Sequence, residues 1–226
     1  MKVTGAGWQP CRPQTCYPNG LPMAKIHICF VWHMHQPFYK DLISGEYHLP
    51  WTRMHALKDY YGMVKILEEF PNVHQTFNLV PSMMVQIQEY ADGTAADPFL
   101  RVALKPAEEL TEDDKRFLLR YFFQAHPARM IRRYPRYGEL FDSWQGSGHD
   151  FNRARQLLHP QAMRDLQVLS QLAWFDEEFL NNDPDVIRLV RKGSDYSHDD
   201  QALMGRKQRE IRSEEHTSEL QSLTNL

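Results

Sequence analysis

Residues 26–37 have the sequence IHICFVWHMHQP, and this stretch decides the fold. Positions 26–32 are almost continuously apolar, which predicts a strand covered on both faces, as in a parallel sheet. His33, His35 and Gln36 follow, and Pro37 ends the run because proline cannot donate to a continuing ladder. A buried strand is therefore expected to deliver polar side chains to a site at its C-terminal end.

The segments after this strand alternate between helical and strand patterns. Residues 52–70 have apolar positions at helical spacing, residues 73–80 are rich in β-forming side chains, and residues 81–90 open a second helix with a proline. The order strand, helix, strand, helix predicts an α/β fold with right-handed crossovers over residues 23–97.

Residues 98–211 have helical patterns and no convincing strand, so a mostly helical insertion is expected to follow the α/β part. Thr111 and Asp114 are spaced as a capping pair at a helix start. The remaining patterns predict helices over 139–144, 161–175 and 184–191, with breaks at 134–138 and 146–148.

Composition narrows the class of protein. The 226 residues are 42% hydrophobic and 24% charged, which is typical of a globular chain. A net charge of −3 without a basic block predicts no nucleic-acid partner, and no apolar run reaches the length of a membrane span. Three cysteines do not form a disulfide framework and no secretory signal is visible, so a cytoplasmic location is expected.

Both ends of the sequence differ in character from the middle. Residues 1–22 are rich in Pro, Gly and Cys and predict a disordered leader or a mis-assigned start, with Met23 as the natural beginning. Residues 212–226 are polar, have no core face and resemble a translated sequencing adapter. We therefore expect an artefactual tail on a gene interrupted near Ile211.

The two histidines at the end of the first strand leave three interpretations open. In extended backbone His33 and His35 share one face. They are a metal-ligand pair of an amidohydrolase-like barrel enzyme, or sugar-binding groups together with Gln36, or strand-capping residues with satisfied hydrogen bonds. Two histidines on one face, followed by Gln36 and two aromatic residues, favour a functional role over simple capping.

The tripeptide His35-Gln36-Pro37 resembles the first signature of glycoside hydrolase family 57. The longer runs YHLPWTRMHALKDYYGM at 47–63, FNLVPS at 77–82 and LAWFD at 172–176 also resemble its amylase-like branch, so the resemblance extends from Met23 to about Arg209. It implies the N-terminal part of an incomplete (β/α)7 barrel. It also implies a retaining hydrolase or transglycosylase of the α-amylase or 4-α-glucanotransferase type, acting on α-glucans such as starch, glycogen or maltooligosaccharides.

The resemblance also implies the substrate-binding residues, and no cofactor or metal. His35 would bind the sugar at the cleaved bond with Gln36 beside it, and His33 would support it. Trp51 either lies along the cleft or anchors packing, and Asn78 either reaches the same rim or bonds local backbone. Arg53, His55, Lys58 and Asp59 form a dense polar set that is either functional or a solvated helix face.

Catalysis in this family uses a Glu nucleophile and an Asp acid/base, carried by later signatures. No stretch of this sequence matches those signatures, and Asp176, Glu177 and Glu178 lack the flanking pattern. We therefore expect no catalytic residue here and an inactive chain, at most a weak sugar-binding module. The sequence does not distinguish hydrolase from transferase, and it does not indicate an oligomeric state.

Overall fold

The computed structural model describes the backbone of residues 26–224 and the side chains of residues 26–211. The predicted leader at 1–22 and the start at Met23 lie outside the described residues. In the predicted tail, the last helix continues as far as Thr224.

Two short strands form a parallel pair. Strand β1 is Val31–Met34 and strand β2 is Thr76–Leu79, and His33 lies opposite Asn78 in the register. The predicted α/β order is present, but both strands are shorter than the sequence indicated. Only four residues of each strand pair with the other strand. One further backbone hydrogen bond flanks the pair at each end, from Thr76 N to Phe30 O (3.1 Å) and from Val80 N to Met34 O (3.3 Å).

The prediction that the first strand is covered on both faces is wrong for the described residues. Ile26 is 86% and Ile28 is 75% exposed, and Val31 is also exposed. Only Met34, at 3% exposure, enters a small apolar cluster with Ala56, Tyr60, Met83 and Ile87. The apolar run is therefore a strand sequence whose cover is not supplied by this part of the chain.

The crossover from β1 to β2 is one helical stretch, here called α1. It consists of α-helix Trp51–His55, π-helix Ala56–Tyr60, α-helix Tyr61–Lys65 and 3-10 helix Ile66–Glu69. The Leu57 carbonyl in the π-segment accepts a hydrogen bond from the Asp176 amide (2.8 Å), so a distant residue takes part where the helix widens. The sequence predicted the helix but not this irregularity. Helix α2, Pro81–Ala91, follows β2 as predicted.

The described residues after 97 contain helices and no strand, which confirms the mostly helical region. The helices are α3 Pro98–Leu104, α4 Glu112–Tyr121, α5 Pro135–Gly146, α6 Pro160–Leu172, α7 Glu177–Asn182, α8 Pro184–Lys192 and α9 His198–Thr224. Short 3-10 helices at Ala107–Glu109 and Arg155–Leu157 and a π-helix at Pro127–Ile131 connect them.

Local capping chemistry explains most of these helix boundaries. Thr111 and Asp114 form the predicted capping box, because Thr111 Oγ1 accepts from Asp114 N (3.2 Å) and Asp114 accepts from Thr111 N (3.0 Å). Gly193 ends α8 in the left-handed conformation at φ 72°. These ends were predictable because the deciding residues are close in sequence.

The predicted break at residues 134–138 is wrong, because α5 begins at Pro135 and includes Gly138. Proline is favourable at the first helical position, so this proline starts a helix rather than interrupting one. Helices α3 and α9 were not predicted. Asp97 caps α3 by accepting from Leu100 N (2.7 Å), and α9 buries Gln201 and Gln208 beside its apolar residues, which obscures the hydrophobic pattern.

Helix α6 runs through the centre of the main core. Leu166, Leu169 and Leu172 are buried, as the sequence predicted, and the polar residues Gln167 and Gln171 are buried as well. The Gln167 side-chain amide donates to the carbonyls of Val102 (2.6 Å) and Lys105 (2.8 Å). A buried amide thus satisfies the free carbonyls at the end of α3.

A buried arginine connects the α/β part to the helical region. Arg53 is 0% exposed, so the solvated-face interpretation of this residue is wrong. Its Nε donates to Asp97 Oδ2 (3.1 Å), and its Nη1 donates to Gln171 (3.0 Å) and Gln208 (3.0 Å). Tyr90 Oη also donates to Asp97 Oδ2 (2.9 Å). The predicted domain division after residue 97 stays a prediction, and this network spans it.

We expect Asp97→Asn to lower the free energy of unfolding by about 3–5 kcal/mol, since it leaves the Arg53 charge buried without a counter-ion. Asparagine retains the size and the capping oxygen of aspartate, so the comparison isolates the charge. Urea unfolding monitored by circular dichroism measures the change.

Glu46→Gln is the matched control, because Glu46 pairs with Arg101 (3.5 Å) where both side chains are exposed. Such a pair contributes about 0–1 kcal/mol. Equal losses in the two variants would contradict a structural role for the buried charge.

Candidate functional site

Polar side chains gather where the two parallel strands end. His33 and Asn78 are opposite each other in the register, and Asn78 Nδ2 lies 3.4 Å from His33 Nδ1. Both are exposed, and His35 and Gln36 follow β1 directly. Met34 is buried between exposed His33 and His35, so the two imidazoles share the face opposite Met34. This end of the sheet therefore carries two imidazoles and two amides.

The loop after β1 is held against helix α2 by a buried glutamine. Gln86 is fully buried, and its amide donates to the Pro37 carbonyl (3.0 Å) while its oxygen accepts from Tyr39 N (3.0 Å). The Tyr39 hydroxyl in turn donates to Gln36 Oε1 (3.0 Å). The Gln36 side chain is therefore positioned by hydrogen bonds that begin inside the protein.

Trp51 lies at the start of α1, and its ring packs against Trp174 with centroids 5.9 Å apart. The two tryptophans border a shallow cleft that also includes Phe122 and Gln124. Trp51 is half-buried, so it contributes to packing and leaves part of its ring open. Its role at a sugar cleft stays a prediction.

The rest of the polar set on α1 forms a local group around Asp59. His55 Nδ1 is 2.6 Å and Lys58 Nζ is 3.6 Å from the Asp59 carboxylate. Burial opposes ionisation of Asp59, but the His55 hydrogen bond and the Lys58 charge outweigh it and lower the pKa of this carboxyl. The His55 ring also meets the edge of Trp174 at 5.8 Å. The local ion pairs that the solvated-face interpretation expects are therefore present, but Arg53 does not take part in them.

Asp176 has the opposite pKa shift beside this group. Burial is the main cause that raises its pKa, and the charges of Glu177 and Asp59 add to it. Divergent shifts in neighbouring carboxyls also occur in acid/base pairs. Here the Asp176 carboxylate caps α7, accepting from Glu178 N (2.9 Å), and Arg133 pairs with Glu177 (3.0 Å). The Asp176 and Glu177 carboxylates therefore each have a structural role, as a helix cap and as an ion-pair partner.

Residues 47–63 and 172–176, which carry most of the family resemblance, pack against each other. Trp51 meets Trp174, and Asp176 lies beside Gly62 as well as Leu57. Sequence reasoning missed this contact, because the two segments are more than a hundred positions apart and neither pattern indicates the other. Each run contains a tryptophan and an aspartate, and this was the one feature of the sequence that could have linked the two segments.

Two features of the described residues bear on other classes of protein. The described side chains include no group of three or more His, Cys, Asp and Glu arranged to hold a metal ion. The metal-dependent alternative therefore gains no support from His33 and His35. Between residues 26 and 224, no helix is long and apolar enough to cross a membrane.

Comparison with known protein families identifies the family to which this chain belongs. The model of Glycosyl hydrolase family 57 matches residues 29–210, which is most of the chain. The chain belongs to glycosyl hydrolase family 57, as the resemblance predicted. Membership implies glycoside hydrolase or transglycosylase activity on a carbohydrate substrate. No match was found among curated proteins or among solved structures.

We expect Gly62→Ala to lower the free energy of unfolding by about 1–3 kcal/mol, because a Cβ there would lie 2.8 Å from Asp176 Cγ. The loss should shrink in an Asp176→Ser background, since serine is shorter and still caps α7. Thermal unfolding of the four proteins in this cycle measures the coupling.

Gly138→Ala is the control, because Gly138 is also helical and has open space around its Cα hydrogen. Alanine should stabilise that helix by about 0.5–1 kcal/mol. Stabilisation at both glycines would show that Asp176 does not restrict position 62.

Proposed function

We propose that this chain supplies a sugar-binding corner of a retaining glycoside hydrolase or transglycosylase that acts on α-glucans, such as starch, glycogen or maltooligosaccharides. The observation that carries the proposal is the register of the parallel strands, which aligns His33 with Asn78 immediately before His35 and Gln36. Imidazole and amide groups both donate and accept hydrogen bonds, which is what sugar hydroxyls require.

In this proposal His35 binds the sugar at the cleaved bond, and Gln36 contacts the same unit. His33 is oriented by Asn78 at 3.4 Å, and Gln36 is oriented by Tyr39 at 3.0 Å. Groups oriented before the ligand arrives lose less entropy on binding, so these contacts favour recognition over simple strand capping. Trp51 extends the binding surface at the start of α1.

The proposed fold is the N-terminal part of an incomplete (β/α)7 barrel. The parallel pair with its crossover helix is the repeating unit of such a barrel. The exposed apolar side chains of residues 26–32 are the surface that neighbouring strands would cover. This argument rests on exposure and pairing within the described residues.

We further propose that the chain by itself does not catalyse the reaction. Retaining hydrolysis needs two carboxyl groups about 5 Å apart across the scissile bond. The carboxylates on α1 and at the start of α7 have other partners, since Asp59 binds His55, Asp176 caps α7 and Glu177 pairs with Arg133. What remains for the chain alone is weak sugar binding.

We expect His35→Ala to weaken maltoheptaose binding by about tenfold, because one hydrogen bond to the sugar is lost. NMR titration of the 226-residue chain measures the affinity. His27→Ala is the control, since His27 is exposed and precedes the strand at the end opposite the proposed site. Equal affinities of the two variants would remove His35 from the site.

We expect the purified chain to release no reducing sugar from soluble starch or maltooligosaccharides, because the carboxylate pair is not formed. A reducing-end assay over long incubation measures this. Turnover above the rate of an Asp59→Asn, Asp176→Asn double variant would contradict the proposal and direct attention to those two carboxyl groups.

A further inference from the structure

A second cavity lies in the helical region, between helices α4 and α5 and the loop after α5. Its volume is about 570 Å³, which is within the usual range of small-molecule sites. None of its lining residues belongs to the strand ends or to the polar set on α1. The reaction proposed above does not use this cavity.

Aromatic side chains form the wall of the cavity. Phe123 packs on Phe141 with centroids 5.6 Å apart, and Trp144 faces His149 at 5.4 Å. His149 has a positive φ of 60°, a conformation that costs energy for a residue other than glycine. Such walls stack against the flat face of a ring-shaped ligand.

Two arginines face the same cavity one helical turn apart. The Arg116 guanidinium lies over the Phe151 ring at 3.9 Å, and that of Arg120 lies 5.2 Å from the Tyr121 ring. Among the side chains of residues 26–211, neither guanidinium forms an ion pair with a carboxylate. Arg132, in the same helical region, differs because it pairs with Asp142 (2.8 Å).

The cavity also lacks acidic groups. No Asp or Glu is among its described lining residues. The acidic residue between His149 and Phe151 is Asp150, whose carboxylate accepts from the backbone amides of Asn152 (2.8 Å) and Arg153 (3.1 Å). Its charge is therefore engaged in the turn. The lining carries net positive charge and many hydrogen-bond donors.

We propose that this cavity binds a phosphorylated sugar. Two guanidinium groups without carboxylate partners match the charge and geometry of a phosphate, and the aromatic wall matches the apolar face of a sugar ring. Gln124 and His149 provide hydrogen bonds for the hydroxyls. A neutral glucan would use the wall but would gain no charge–charge attraction from the two exposed guanidinium groups. Gln124 also borders the Trp51–Trp174 cleft, so the site adjoins the aromatic pair.

Isothermal titration of the 226-residue chain with glucose 1-phosphate tests the proposal. We expect saturable binding that weakens about tenfold in Arg116→Gln and in Arg120→Gln, because each loses a charged hydrogen bond to phosphate. Arg188→Gln is the control, since Arg188 is an exposed arginine on α8 that does not line the cavity. It should bind as the parent chain does.

Two further ligands separate the parts of the proposal. Maltose should bind at least tenfold more weakly than glucose 1-phosphate, and inorganic phosphate should bind more weakly as well, because each satisfies only one half of the site. Trp144→Ala should weaken binding of glucose 1-phosphate but not of phosphate. Phe141→Leu repeats this test with a smaller change if the tryptophan variant unfolds, since the described ring contact of Phe141 is with Phe123 and not with an arginine.

Three results would overturn the proposal. The first is that glucose 1-phosphate does not bind. The second is that maltose binds as tightly as glucose 1-phosphate and that neither arginine substitution weakens its binding. The third is that inorganic phosphate binds as tightly as the sugar phosphate. None of these depends on starch cleavage or on His35, so the outcome is independent of the function proposed for the strand ends.

Discussion

The buried charge of Arg53 is the constraint on which the arrangement of this chain depends. A guanidinium removed from water is tolerated only where its hydrogen bonds and counter-charge are supplied, and here they come from the cap of α3, from α6 and from α9. Among the described atoms, Arg53 Nη2 has no hydrogen-bond partner. The network is therefore a costly way to gain stability. Its value lies in orientation, because α1 has one favourable position relative to the helices that supply its partners.

A second set of contacts holds the polar end of the two-stranded sheet in place. The apolar side chains of residues 26–31 are exposed, so burial at that end of the sheet does not hold the strands. They are positioned from one end, where Met34 packs beside α1 and α2 and where Gln86 binds the loop that follows. The polar groups at the strand ends therefore belong to the best supported part of the sheet, although the sheet as a whole is sparsely covered.

The limits of sequence reasoning follow from the distances over which each feature is decided. The strand–helix–strand order, the Thr111 capping box and the Gly193 stop are visible in local patterns, and all were predictable. The adjacency of His33 and Asn78 required a strand register, which a parallel pairing restricts but does not fix. Arg53 meets partners 44, 118 and 155 positions away, and no local pattern distinguishes it from a solvated arginine. The paired tryptophans were hidden for the same reason.

The chemistry of the two candidate sites leads to a division between binding and reaction. At the strand ends the side chains are imidazoles and amides, and in the helical cavity they are guanidinium groups and aromatic rings; both sets suit the proposed recognition of oxygen-rich ligands. Glycoside hydrolysis with retention needs carboxylates whose lone pairs point at the anomeric carbon and the leaving oxygen. Asp59 and Asp176 direct theirs at His55 and at a helix end. The described contacts of these two carboxylates therefore stabilise the scaffold, which supports the proposal that this part of the chain recognises a ligand rather than reacting with it.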